Sequence, residues 1–436
     1  MTFSTDPCCD PEALLRELFA VAVRAAMPAG SITQFVAEVA ARHPGRRPYL
    51  LVIGKAAVPM ATAALEALPG GKLGTILTRY GHLPDGWAPP AGIDLFEAAH
   101  PVPDTAGERA ARRIRDDLLA LGEGDVVIAL LSGGGSSLLS LPIDGLSLEL
   151  KQSITSDLLA SGAPIEQINT VRKHLSTVKG GKLAVAAWPA VVETAVISDV
   201  AGDDPAMVAS GPTLPDHSTP ADAVRVLGHY GISVPAAVRA AKPNVVNHPA
   251  FAASTAPTIL ASAAMMLAAT AEAAAGMGLA PEIVGDDETR AATIAAQEHA
   301  AQALERQATM QPGDQPVLLL SGGETSVTVS NRAGRGGRNA TYLLALALAL
   351  KGAEGIYAIA CDTDGIDGNG ELAGGVIGPD SLLTAANAGC DPQDALRDNQ
   401  SHAFLIAAGG AVVTGPTLTN VNDFRAILIL PTGSGI

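Results

Sequence analysis

Short apolar runs alternate with amphipathic stretches along most of the chain. Apolar residues recurring at three- and four-residue intervals predict helices at residues 11–24, 32–42, 106–121, 220–230 and 339–351. Short apolar runs bounded by glycine or polar residues predict strands at residues 49–53, 74–77, 125–131, 190–197, 317–320, 356–360 and 426–430. Strands that alternate with helices are typical of parallel sheets covered on both faces, so the pattern predicts an α/β fold.

The longest apolar stretch, residues 258–280, is predicted to be a buried helix rather than a membrane span. It consists mostly of alanine and methionine and holds Thr270 and Glu272. The first 20 residues carry acidic side chains and no apolar run, so they do not read as a signal peptide. A cytoplasmic protein without a membrane partner is therefore expected.

The length of 436 residues suggests two domains. A proline-containing stretch, residues 242–257, is typical of a linker. We therefore expect an N-terminal domain over residues 1–250 and a C-terminal domain over residues 251–436.

The amino-acid composition argues against several classes of protein. A hydrophobic content of 48% excludes disorder, and a net charge of −16 with 3% aromatic residues disfavours a nucleic-acid partner. The spacing of Cys8, Cys9, Cys361 and Cys390 fits neither a zinc site nor a disulfide framework, which indicates reduced thiols.

A glycine-serine loop follows the most apolar strand and precedes a helical stretch. It consists of Ser132, Gly133, Gly134, Gly135, Ser136 and Ser137. Glycines let the backbone N–H groups approach a ligand, and a helix N-terminus favours an anion, so the loop is a candidate phosphate cradle. The alternative is a tight turn without a ligand.

Basic residues are few, so their positions are informative. Lys55 lies at a strand-to-helix turn, where it could reach a phosphate, although a solvated surface lysine is the alternative. Five basic residues, including Arg172 and Lys179, fall within residues 169–182. They would attract an anionic substrate or form one exposed helix face.

The second half contains a similar group of loops. Gly322, Gly323 and Glu324 follow the strand at 317–320, and Arg335 and Arg338 lie among glycines just before a helix. Guanidinium groups bind phosphate or carboxylate through two hydrogen bonds. A flexible glycine-rich turn with solvated arginines is the alternative.

Aspartates follow two predicted strands. Asp362, Asp364 and Asp367 are candidate ligands of a Mg²⁺ ion bound together with phosphates, and their spacing is not that of an EF-hand. Asp199 is a candidate general base or metal ligand. Solvated turns are the alternative for both groups.

Several known motifs are missing. The chain has no G-x-x-x-x-G-K-[ST], no G-x-G-x-x-G after a strand and no G-x-S-x-G. These absences argue against a P-loop enzyme, a nicotinamide-dependent dehydrogenase and an α/β-hydrolase.

The ordered set of motifs resembles the bacterial glycerate 2-kinase family, whose members also carry the label hydroxypyruvate reductase. The matching stretches are residues 53–56, 100–104, 131–137, 169–182, 197–205, 210–213, 321–325, 334–339, 362–368, 414–417 and 419–423. Two segments depart from the family pattern: Ala340 and Thr341 replace Gln-Glu, and Gln400 replaces an aspartate.

The resemblance implies a Rossmann-like, three-layer N-terminal domain and a smaller C-terminal α/β domain, with the active site in the cleft between them. It implies ATP-dependent phosphorylation of the 2-hydroxyl of D-glycerate, with Mg²⁺. Lys55 and Arg338 look like the family's active-site pair, and Asn339 and Asn420 are further candidates for binding substrate or phosphate. A nucleotide and a small sugar acid are thus the expected partners, and a homodimer is the candidate assembly.

Three alternatives stay open. They are an NAD(P)H-dependent hydroxypyruvate reductase, a kinase for a longer sugar acid, and a protein that binds a sugar acid or nucleotide without catalysis.

Overall fold

The computed structural model describes residues 10–68, 73–244, 246–328, 331 and 334–432. Its contacts divide the chain into two compact units. The parallel-sheet unit spans Pro28–Leu260, and the mixed-sheet unit combines helix α1 (Pro11–Ala25) with the chain from Ala261 onward.

The parallel-sheet unit is built on six strands in the order β3-β2-β1-β4-β5-β6. The strands are β1 (Arg47–Ile53), β2 (Leu73–Arg79), β3 (Ile93–Ala98), β4 (Asp125–Leu131), β5 (Val191–Ile197) and β6 (Thr258–Ala261). The first five pair in parallel, as expected from the alternation of strands and helices. This 3-2-1-4-5 order is that of doubly wound folds.

Ten helices accompany this sheet among the described residues: α2 (Ala29–Arg42), α3 (Ala57–Ala67), α4 (Thr105–Leu119), α5 (Gly135–Leu138), α6 (Leu148–Ala160), α7 (Ile165–His174), α8 (Lys182–Ala187), α9 (Pro220–His229), α10 (Ala236–Arg239) and α11 (Pro249–Ala252). Strand β4 is buried along its whole length. Its side chains form a core with those of α4 and α8.

The mixed-sheet unit has six strands in the order β11-β10-β9-β12-β8-β7. The strands are β7 (Ala280–Gly285), β8 (Val317–Ser321), β9 (Ile356–Asp362), β10 (Gly374–Ile377), β11 (Ala411–Val412) and β12 (Asp423–Ile429). Its helices are α1, α12 (Ala263–Gly276), α13 (Ala292–Ala308), α14 (Arg338–Leu350), α15 (Ser381–Asn387), α16 (Pro392–Arg397) and α17 (Ser401–Ala407).

Expecting only parallel pairing was wrong for this second sheet. Strands β7 and β8 are parallel, whereas β12 runs antiparallel to both β8 and β9, and β10 runs antiparallel to both β9 and β11. No helix separates β9 from β10, so the chain turns back and pairs antiparallel with the strand it has just left.

The two units also differ from the two expected domains, which met at a single boundary after residue 250. Leu14, Leu15 and Leu18 are fully buried, and helix α1 packs on α12 and β9 of the mixed-sheet unit. The expected linker belongs to the parallel-sheet unit, where Thr255 donates to the buried Glu193 across 2.5 Å. Proline content therefore did not mark the boundary.

The apolar stretch 258–280 is not one helix. It contains strand β6, helix α12 and the first residue of β7. One other helical stretch, Pro11–Arg42, is long and apolar enough to cross a membrane by length and composition. It consists of the separate helices α1 and α2, of 15 and 14 residues, which are both short for a span.

Cysteines form no disulfide within the described chain. Cys361 is a buried free thiol and Cys390 a partly exposed one, while Cys8 and Cys9 lie outside the described residues.

Candidate active site

The parallel sheet reverses its winding between β1 and β4, and ligands of doubly wound folds bind where the carboxyl ends of such strands meet. Three predicted site segments lie at this edge. Lys55 follows β1, Ser132 follows β4 and Asp199 follows β5. Ile53 lies level with Leu131, so the first two segments are neighbours.

Backbone hydrogen bonds fix Lys55 to the glycine-serine loop. Its N–H donates to the carbonyl of Gly133 across 2.9 Å, and the N–H of Ala56 donates to Ser132 Oγ across 3.1 Å. Gly54 has φ +132°, and a Cβ at this residue would lie 2.1 Å from Ser132 Oγ. Only glycine fits here, which explains why this residue precedes Lys55.

The loop presents its backbone to Lys55 and to a histidine that the sequence analysis did not single out. Gly134 has φ +77°, and a Cβ there would lie 3.1 Å from Lys55 Cγ and 3.2 Å from His100 Cδ2. The helix after the loop, α5, has only four residues. A helix dipole therefore adds little, and the attraction for an anion rests on the loop amides and Lys55.

Ser136 belongs to a chain of side-chain hydrogen bonds. Its Oγ lies 2.6 Å from Ser210 Oγ, and Ser210 donates to Asn169 Oδ1 across 2.9 Å. Ala209 and Ser210 both have positive φ, 52° and 60°. Non-glycine residues in this conformation are strained and concentrate at functional sites, a feature that cannot be read from the sequence.

The basic segment 169–182 is not an exposed helix face. Lys173 is buried and pairs with Asp216 across 3.2 Å, while burial lowers the pKa of His174 to about 4 and keeps its ring neutral. Lys179 is wholly buried and donates to the carbonyl of Leu139 across 2.7 Å. Arg172 and Lys182 are the partly exposed basic residues of the segment.

The predicted loops of the second half meet at one edge of the mixed sheet. Because β12 runs antiparallel to β8 and β9, its start lies near the ends of both: Asp423 is level with Asp362 of β9, and Arg425 is level with Ser321 of β8. Arg338, the first residue of α14, binds three carboxylates at this edge. Its guanidinium donates to Asp423 across 2.8 Å, to Asp362 across 2.6 Å and to Glu324 across 2.5 Å. These carboxylates raise the pKa of Arg338 against the opposing effect of burial, so it is a fixed positive charge.

Asp423 and Arg425 form the centre of this edge, and the sequence analysis did not identify them as site residues. Asp423 is fully buried and accepts from Arg338, from Asn339 Nδ2 across 2.7 Å and from Arg425 across 3.1 Å. Arg425 also donates to the carbonyls of Gly322 and Gly323. The sequence offered one signal for these site residues, which is the presence of two charged side chains in an otherwise apolar strand.

The three predicted metal ligands do not share one role. Asp367 accepts from the N–H groups of Asn339 and Ala340 across 3.0 and 2.9 Å, so it caps helix α14. Asp362 accepts from the N–H of Asp364 across 2.9 Å in a tight turn. Within the described ranges, no three acidic, histidine or cysteine residues are grouped as a metal cage.

A cavity of about 330 Å³ opens beside Arg338. Four glycines, three of them in the 334–337 segment and the fourth Gly368, line it together with polar residues that include Thr341 and Asn369. Thr341, one of the departures from the family pattern, lies 3.3 Å from Ser401 Oγ. Gln400, the other, accepts from the N–H of Arg335 across 3.3 Å. The predicted Asn420 is buried and accepts from the N–H of Asn422 across 3.2 Å.

Two family models match the chain. A domain of unknown function, DUF4147, matches residues 14–242, and the MOFRL family matches residues 317–423. The chain is 45% identical to a protein of Agrobacterium vitis provisionally named hydroxypyruvate reductase, over 95% of this chain and 94% of that protein. It is 39% identical to the D-glycerate 2-kinase of Thermotoga maritima, over 97% of this chain and all of that enzyme.

A solved structure matches the fold as well. The crystal structure of glycerate kinase from Thermotoga maritima superposes with a TM-score of 0.82 at 38% identity, covering 96% of this chain and 100% of that one. Matches of this identity over nearly the whole length show that the chain belongs to the glycerate 2-kinase family.

Proposed function

We propose that the protein is an ATP-dependent kinase that phosphorylates the 2-hydroxyl of D-glycerate to give 2-phosphoglycerate and ADP. The observation that carries the proposal is the full-length similarity to a D-glycerate 2-kinase, together with the two basic groups that phosphoryl transfer requires. Lys55 is fixed to the glycine-serine loop, and Arg338 is fixed by three carboxylates.

The reaction forms a bond between the 2-oxygen of glycerate and the γ-phosphorus of ATP while the bond from that phosphorus to the β-γ bridging oxygen breaks. Negative charge builds up on the transferring group and on ADP. Lys55 and Arg338 are proposed to neutralise this charge in the same reaction. Asp199 is the proposed acceptor of the hydroxyl proton, since it follows β5 at the edge that holds Lys55.

Mg²⁺ is proposed to arrive with the nucleotide. In kinases this ion neutralises phosphate charge, and in proteins it is commonly held by one or two carboxylates together with phosphates and water. Asp362 and Asp364 fit that arrangement because they lie together in one turn at the edge where Arg338 begins helix α14. Asp367 fits it less well because both of its oxygens bind the helix N-terminus.

The alternative function is that of a hydroxypyruvate reductase, which is the name given to the Agrobacterium vitis relative. The turn after β1 reads Gly54-Lys55-Ala56. In the glycine-rich segment at the start of α14, Gly334 and Gly336 are followed by Asn339 where a third glycine would be needed, so neither segment is a dinucleotide fingerprint. These features favour the kinase.

One pair of assays tests the proposal. Purified protein is incubated with D-glycerate and Mg-ATP while ADP is measured, and in parallel with hydroxypyruvate and NADH or NADPH while absorbance at the cofactor band is followed. ADP formation that depends on D-glycerate is expected, and longer aldonates in its place test the width of the specificity. Oxidation of the reduced cofactor without ADP formation would replace the kinase by the reductase.

The cytoplasm is the proposed location, supported by the free Cys361 and Cys390 thiols.

A further inference from the structure

Four cationic side chains of the parallel-sheet unit influence one another inside the fold: Lys151, Arg172, Lys179 and Lys182, here called the buried cation cluster. We propose that the buried cation cluster is the subsite for the carboxylate of the sugar acid, with Arg172 as the contacting group and Lys151 as the charge behind it. The inference rests on the proposed kinase function for the identity of the acid, and on geometry for the anion site itself.

Lys151 has no hydrogen-bond partner among the described residues. Its side chain is 2% exposed, and its ammonium group is buried without an acceptor. A buried ammonium without an acceptor is costly, so native proteins pair such groups or use them for a ligand. The other unusual member is Arg172, which makes no ion pair within the described part of the chain.

Within the described residues, no carboxylate forms an ion pair with a member of the cluster, and the two acids that act on it are bound elsewhere. Burial, followed by the charges of Arg172 and Lys182, lowers the pKa of Lys151 to about 7, and Glu108 opposes this shift. Glu108 is itself bound by Arg112 across 3.1 Å. A second acid, Asp216, acts on Lys182 and is itself bound by Lys173 across 3.2 Å.

The remaining two members are fixed by carbonyl groups rather than by acids. Lys179 donates to Leu139 O across 2.7 Å, and Lys182 donates to Lys173 O across 2.8 Å. Lysine can lose its proton in such a place, but arginine keeps its charge. Arg172 is partly exposed and forms no ion pair with the described protein groups, so it is available to bind an anion from solution.

Arg172 lies one helical turn from a residue that is linked by hydrogen bonds to the glycine-serine loop. Asn169 and Arg172 are three residues apart on α7, so their side chains leave the same face of that helix. Asn169 accepts from Ser210, which in turn contacts Ser136 across 2.6 Å. The anion subsite thus lies one helical turn from the hydrogen-bond chain that reaches the loop beside Lys55.

The charge pattern favours a small carboxylate over a nucleotide at this subsite. A group of cations that is not paired with carboxylates attracts an anion that carries no metal ion. A nucleotide bound with Mg²⁺ also needs carboxylates, because these hold the metal ion. Such groups, Asp362 and Asp364, lie at the edge of the mixed sheet, which would repel a bare carboxylate.

Thermal unfolding with added ligand tests the subsite without requiring turnover. Wild type, Lys151→Met, Arg172→Met and the matched control Lys242→Met, an exposed lysine of the same unit, are heated alone and with D-glycerate, inorganic phosphate or Mg-ATP. D-glycerate should raise the Tm of wild type and of the control, since it binds only the folded state. The shift should be lost in the other two variants, while the shift with Mg-ATP should persist in all four.

Steady-state kinetics supply the second readout. Lys151→Met and Arg172→Met should raise the KM for D-glycerate about tenfold or more, the loss expected for a charge-assisted hydrogen bond, with the KM for ATP within about twofold. A D-glycerate Tm shift that survives in both variants would overturn the subsite. So would a loss confined to Mg-ATP, or stabilisation by inorganic phosphate alone. Wild type that binds D-glycerate through Arg172 but forms no ADP would support the subsite and refute the kinase.

Discussion

Replacing Lys151 by methionine is expected to make the ligand-free protein more stable, which is the opposite of the usual effect of a substitution at a buried residue. Methionine keeps the length and most of the apolar stem of lysine but removes the ammonium group. Because that group is 2% exposed and has no acceptor, its loss leaves no broken hydrogen bond behind.

The magnitude follows from the proton equilibrium of Lys151. Burial and the neighbouring cations lower its pKa from 10.5 to about 7, so the folded protein holds its proton less tightly than the unfolded chain does. Between these pH values the unfolded chain binds more protons, and the free energy of unfolding of wild type therefore rises with pH. The charged lysine costs the folded state about 4 kcal/mol at pH 7 and about 2 kcal/mol at pH 9. The methionine variant has no such cost.

Urea unfolding at pH 7 and pH 9 measures the difference in the free energy of unfolding between wild type and the variant. The buffers contain chloride and neither carboxylate nor phosphate. Urea is preferred to guanidinium because it does not screen charges. Trp87 and Trp188, the two tryptophans of the chain, both belong to the parallel-sheet unit, so their fluorescence follows the unit that contains Lys151.

The variant should be the more stable protein at both pH values, by about 4 kcal/mol at pH 7 and by about half as much at pH 9. Lys242→Met, at an exposed position, should match wild type. A variant less stable than wild type at pH 7, or a difference that does not change with pH, would refute the assignment of Lys151 as an unbalanced buried charge.

Four further substitutions test the two sheet edges. Lys55→Met and Arg338→Met should each lower kcat about 10²-fold or more in the D-glycerate assay, as expected for loss of a transition-state charge partner, and near-normal turnover in both would contradict their assignment. Gly54→Ala should destabilise the fold by at least about 2 kcal/mol in urea unfolding, because its Cβ would lie 2.1 Å from Ser132 Oγ; a smaller cost would show that the loop adapts. Asp367→Ala should cost about 2 kcal/mol because two buried N–H groups of α14 lose their acceptor, measured as a lower midpoint, and an unchanged midpoint would contradict the capping role.

The pattern of apolar residues predicted the central strands well, and the reason is burial on both faces. Strand β4 was predicted at residues 125–131 and is found at Asp125–Leu131, since a strand covered by helices on both sides is apolar throughout. Strand direction was not predictable in the second sheet. A short apolar run does not encode whether its neighbour is parallel, and here long-range pairing with β12 decides the arrangement.

The same contrast applies to the candidate site. Lys55 and Arg338 could be found because glycines beside them marked turns at the ends of helices and strands. Arg425 was missed because the strand was predicted to begin at residue 426, after its charged residues; the structure begins it at Asp423, where Arg338 and Arg425 neutralise the charge.

The sequence contains a signal that Lys151 is buried. It falls three residues after Leu148 and three before Ile154, on the stripe of α6 that the structure buries. A lysine on an apolar stripe is a candidate buried charge, but the sequence does not tell whether an acid lies opposite. The charges around Lys151 come from other segments of the chain: Arg172 of α7 and Lys182 of α8 lower its pKa, and Glu108 of α4 opposes them.

The position of β12 constrains the order in which the two units can fold during synthesis on the ribosome. This strand is made after the other five strands of its sheet, yet it occupies an interior place, between β9 and β8. Helix α1 must wait for partners that are synthesised more than 230 residues later, since it packs on α12 and β9. The segment Pro28–Leu260 is continuous and can complete its own sheet while synthesis proceeds. Premature termination before β12 would therefore leave one finished unit joined to a nascent segment whose β8 and β9 edges are unpaired, the kind of species that chaperones and proteases recognise.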